Sequence, residues 1–76
     1  MIQWRQADQY HLRSVCGRFT ISRTTGGPDI AYTAWRVRPK QVGEMLACHA
    51  CDAADGQARD AILRVLKDVC EGQAGA

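Results

Sequence analysis

Residues 18–37 read RFTISRTTGGPDIAYTAWRV, and the way this stretch pairs with itself decides the fold. In RFTISR (18–23), Phe19 and Ile21 alternate with Thr20 and Ser22, the two-residue period of a half-buried strand. IAYTAWRV (30–37) is rich in β-branched and aromatic residues and reads as a second strand. Between them TTGGPD (24–29) is loop chemistry, with two glycines and a proline. Moving outward towards the N-terminus, Tyr10 to Val15 reads as a further strand. Cys16-Gly17 then supplies a compact turn whose glycine accepts a positive φ. Three successive strands within 10–37, joined by short links, imply an antiparallel meander.

In the other direction, Pro39 breaks the strand. Residues 38–51 admit two readings. Val42, Met45, Leu46 and His49 fit one helical face, whereas Met45-Leu46-Ala47-Cys48 fits a strand. Gly43 weakens the helical option, so the expectation is a short fourth strand at 44–49. The segment 52–72, DAADGQARDAILRVLKDVCEG, sets Ala58, Ala61, Ile62, Val65, Leu66, Val69 and Cys70 on one face and predicts a helix over 53–71. Asp52 is placed to cap its first turn, with Asp55 in the capping-box position and Gly72 able to end it. The expected fold is α+β: one domain over 1–76, a three- or four-stranded antiparallel sheet with the C-terminal helix packed on one face.

A chain of 76 residues buries only about 60% of its unfolded surface, which leaves little room for an enclosed active site. No run of about 18 apolar residues is present, so no membrane-spanning helix is expected. The start, MIQWRQADQY, lacks the basic-then-apolar layout of a secretory leader. The expected location is therefore the cytoplasm, and the four cysteines are expected to be reduced thiols. The net charge of +2 hides an asymmetry: residues 1–40 hold seven basic side chains against Asp8 and Asp29, and residues 41–76 hold three against six acidic ones. One part of the surface should be positive, which favours an acidic partner or nucleic acid there.

Catalytic constellations are thin. Cys48-His49-Ala50-Cys51 is a C-x-x-C, but a thioredoxin-like enzyme needs a βαβ unit, and the first half of this chain reads as strands. Zinc needs four ligands; Cys48, His49 and Cys51 are weak candidates, and Cys70 lies far along the helix. No cofactor is expected. His11 and His49 are the only histidines, and no nucleophile-elbow or phosphate-loop motif is present. The chain therefore reads as a non-enzymatic binding module. Its candidate binding residues are Arg13, Arg18, Arg23, Tyr32, Trp35, Arg36 and Arg38, because Trp, Tyr and Arg anchor interfaces. The same residues supply the charge and flat rings of a single-stranded DNA or RNA platform, which is the alternative reading.

Trp4, Cys16-Gly17-Arg18-Phe19-Thr20, Tyr32-Thr33-Ala34-Trp35-Arg36 and the capped Ala-rich helix from Asp52 form a series. In that order they resemble short accessory proteins encoded by phages and prophages of proteobacteria, a class that includes anti-CRISPR proteins. The resemblance spans most of the chain and rests on strand and turn signatures, so it carries over no site residue. It implies an inhibitor that binds a host protein complex, with a CRISPR effector as the most specific partner. Many such inhibitors are acidic mimics of nucleic acid; this chain, at +2, departs from that pattern, which favours occlusion of a surface. GRFTISR (17–23) also matches an antibody heavy-chain framework stretch, but the cysteine–tryptophan–cysteine layout of that fold is missing.

Overall fold

The computed structural model describes residues 2–38, 40 and 43–74. It contains five strands and one helix: β1 (Trp4–Asp8), β2 (His11–Ser14), β3 (Phe19–Gly26), β4 (Asp29–Arg36), β5 (Glu44–Asp52) and α1 (Gly56–Ala74). The strands lie side by side in chain order, each antiparallel to the next. The α+β meander expected from the sequence is thus the fold, with five strands in place of three or four.

The links show why the meander forms. Asp8 accepts the Tyr10 N–H on Oδ1 at 2.7 Å, closing the β1–β2 turn through an aspartate side chain. Gly17, at φ 78°, makes the β2–β3 turn and donates its N–H to the Ser14 carbonyl at 2.9 Å. At the mouth of that turn the buried Ser14 hydroxyl accepts the Phe19 N–H at 3.0 Å and donates to the Phe19 carbonyl at 3.2 Å. A side chain there replaces one rung of the ladder. TTGGPD proves to be mostly strand: β3 runs to Gly26, and only Gly27-Pro28 form the turn. Gly27 takes φ 61°, as the first central position of a primed hairpin turn requires.

Two elements depart from expectation. β1 lies outside the expected strand range, and β5 extends from Glu44 to Asp52 because it pairs with the whole of β4, Asp29 opposite Asp52. Val42, part of the helical alternative for this region, lies outside the described residues. The helix is displaced to Gly56–Ala74. Asp52 turns the chain instead, accepting the Ala54 N–H at 2.8 Å, and Asp55 caps the helix by accepting the Ala58 N–H at 3.0 Å. Gly72 does not end α1, which continues to Ala74 against the core.

Phe19 and Ile21 of β3, Ile30, Tyr32 and Ala34 of β4, and Leu66 and Cys70 of α1 form the core. Burying each large apolar side chain there contributes about 1.5–3 kcal/mol. The helical stripe is Ile62, Leu66, Cys70 and Ala74, four apart; Ala61 and Val65, expected within it, are exposed. Because α1 packs over β4 and β5, the β1–β2 flank of the same face is covered only in part.

Candidate functional site

Cross-strand partners share a face of the sheet, so the register assigns every strand residue to one side. Phe19, Ile21, Tyr32 and Ala34 belong to the face under α1. Among the described residues, the opposite face carries no helix. Its first row runs Arg5, Arg13, Thr20, Trp35, Met45 across all five strands. Its second row is His11, Ser22, Thr33, Cys48. Thr24, Ala31 and Ala50 follow. Small residues make most of this surface flat, and among the described residues Trp35 is its one large ring. The indole N–H donates to Ser22 Oγ at 2.9 Å, which holds the ring across the β3–β4 pair. Met45, opposite Trp35, is 60% exposed.

Charge on this face is segregated. Arg5 and Arg13 stand directly opposite each other on β1 and β2, an arrangement of like charges that costs stability. At the diagonally opposite corner Asp29 and Asp52 form a second like-charged pair. Asp8 sits at the β1–β2 turn with its carboxylate 2.9 Å from Nδ1 of His11. That hydrogen bond, and a second from the Tyr10 N–H, hold the Asp8 pKa below its ordinary value.

The expected binding residues are therefore divided. Arg13 and Trp35 lie together on the uncovered face. Tyr32 is 7% exposed and belongs to the core, so it is no part of a surface platform. Arg23, opposite Tyr32, and Arg36, opposite Phe19, belong to the helix side. Arg36 hydrogen-bonds Gln73 and, with Arg38, approaches Glu44, each pair at 3.6 Å. Arg18 lies in the β2–β3 turn with its guanidinium 5.6 Å from the Phe19 ring centroid. Sequence reasoning missed Arg5, Ser22 and Met45. The alternation RQ in β1 and TIS in β3 would have placed Arg5 and Ser22 once β1 was recognised.

The cysteine motif is taken apart by the same alternation. Cys48 faces the uncovered side, with Thr33 Oγ1 donating to its Sγ at 3.3 Å, whereas His49 and Cys51 pair with Tyr32 and Ile30 on the helix side. In an extended strand, Cα atoms three residues apart are separated by roughly 10 Å, too far for a disulfide. Cys48, His49 and Cys51 thus make no shared metal site, and no group of three potential ligands converges among the described residues. All four cysteines are free thiols. Cys16 is exposed, with its Sγ 3.4 Å from Ser14 Oγ; hydrogen bonding with that hydroxyl, and then with the Arg18 backbone, lowers its pKa below the ordinary thiol value. Burial pushes Cys70 up to about 11.

No protein-family model, curated protein or solved structure matches this chain.

Proposed function

We propose that the protein is a non-enzymatic binding module whose uncovered sheet face engages a protein partner. The observation that carries this reading is the row Arg13–Thr20–Trp35–Met45, an oriented indole flanked by an exposed methionine and an arginine pair. Trp and Arg are among the side chains that supply most binding energy at interfaces, Met is enriched there, and a flat bed of Thr, Ser and Ala lets a partner approach closely. The partner should present acidic groups to the Arg5–Arg13 corner and basic groups to the Asp29–Asp52 corner. The likeness of the strand and turn motifs to phage accessory proteins makes a host protein complex, such as a CRISPR effector, the first class to test.

A protein fits this face better than single-stranded nucleic acid. A nucleic-acid platform stacks successive bases on successive rings. Here Tyr32 and Phe19 are committed to the core, and an acidic corner would repel phosphates. Immobilised chain should retain a stoichiometric protein from a proteobacterial lysate. Trp35→Ser and Arg13→Glu should each reduce retention at least about tenfold, the loss expected of an interface anchor. Absence of a stoichiometric partner, or equal retention by both variants, contradicts the proposal. A low-salt mobility shift with single-stranded oligonucleotides should show no complex; a salt-sensitive shift would favour the alternative.

A further inference from the structure

We infer that the trough between α1 and the β1–β2 flank, on the face away from Trp35, binds a carboxylate carrying a short apolar body. The trough exists because α1 is centred over β4 and β5 and leaves that flank half open. It holds about 190 Å³ and has a mixed lining: Leu12, Ile21 and Leu63 form an apolar patch beside Tyr32, and Gln6, Gln9 and His11 supply polar groups around it. Arg23 stands within it, its guanidinium 5.4 Å from the Tyr10 ring centroid.

Arg23 lacks what a half-buried cation needs. Its Nε is buried without a hydrogen-bond partner, and no carboxylate lies among the residues that line the trough. None pairs with it elsewhere among the described residues. A buried Nε–H left without an acceptor is costly, and a carboxylate is the geometric complement of the guanidinium because its two oxygens meet the planar N–H fork. Tyr10 covers one side of the guanidinium and so restricts its rotamers, which lowers the entropy lost when a ligand binds. The volume admits a short aliphatic or amino-acid-sized body against Leu12, Ile21 and Leu63. Such a carboxylate belongs either to a free small acid or to a polypeptide C-terminus.

The test is a methyl and amide NMR titration of the intact chain. Hexanoate should give saturable shifts at Ile21, Leu12 and Leu63, while hexanamide, the same body without the charge, should bind at least about tenfold more weakly. Arg23→Gln should abolish the hexanoate response, and Arg64→Gln, an exposed cation on α1 outside the trough, should leave it intact. A peptide ending in leucine that outcompetes hexanoate assigns the source as a protein C-terminus; one that fails to compete assigns it as a free acid. The inference is overturned if hexanoate produces no saturable shift, if hexanamide or inorganic phosphate binds equally well, or if Arg23→Gln responds as the parent does. Should Arg23→Gln not fold, the hexanoate–hexanamide comparison on the parent chain decides alone.

Discussion

Trp35 donates its indole N–H to Ser22 Oγ at 2.9 Å across the uncovered face of the sheet. An aromatic ring on a solvent-facing sheet ordinarily samples several rotamers; this one is fixed before any partner arrives, which reduces the ordering cost of binding. Ser22→Ala removes the acceptor. We expect a stability loss of about 1 kcal/mol, the net value of one hydrogen bond, and faster hydrogen exchange at the Trp35 indole N–H. Denaturant unfolding and the indole NMR resonance read the two effects. An unchanged indole exchange rate would show that the ring is held by other contacts.

Ser14 performs a different task in a buried setting. Its hydroxyl serves both the N–H and the carbonyl of Phe19 at the end of the β2–β3 ladder, and the residue is only 3% exposed. Ser14→Ala strands two backbone groups, so the cost should reach about 1–3 kcal/mol and exceed that of Ser22→Ala. Chemical denaturation of both variants under one condition gives the ordering. The reverse ordering would mean that water replaces the Ser14 hydroxyl.

The Asp8–His11 contact sets a pH dependence with a defined sign. The folded-state pKa of Asp8 lies below its ordinary value of 3.8, chiefly through the His11 hydrogen bond. Its contribution is therefore complete above that value and is lost as pH falls through the lower folded value. Asp8→Asn should melt below the parent near neutral pH, and the two melting curves should converge as pH falls below the ordinary value of 3.8. Both side chains are largely exposed, so the difference should be small and should shrink in salt. A gap that widens on acidification would contradict this account.

Thiol chemistry separates the four cysteines. Cys16 is exposed with a lowered pKa, whereas Cys70 is fully buried with its pKa pushed up to about 11. Alkylation at pH 8 followed by peptide mass mapping should modify Cys16 first and Cys70 only on unfolding. Modification of Cys70 in the native protein would show that α1 detaches from the sheet.

The sheet and the helix were legible where side chains declare their own burial. RFTISR and IAYTAWRV alternate or concentrate apolar residues strongly enough to identify β3 and β4. β1 was not legible: WRQAD has no β-branched residue, and the strand is held by its register with β2 and not by a buried face of its own. The helix start is read too early from the sequence, at Asp52, because Asp52 and Asp55 are both good caps. Pairing of Asp52 with Asp29 keeps the former in β5, and the cap passes to Asp55.

The site was half legible for a related reason. Trp35 and Arg13 were identifiable by residue type, but grouping them with Tyr32 ignored the pleat. Residues three apart on a strand point to opposite sides, which sends Tyr32 to the core and leaves Trp35 outside. The same arithmetic parts Cys48 from Cys51. Arg5 and Asp29 gained meaning only through partners that the register supplies, Arg13 and Asp52.

Cys48 provides the most direct test of the binding face, because it is an exposed native thiol in the row beside Trp35. In the free chain it should alkylate readily. In the complex isolated from lysate, we expect Cys48 to be protected by a factor of about ten or more, as burial under a partner requires. Cys48 alkylation at the same rate in the free chain and in the complex would contradict the assignment of this face as the interface.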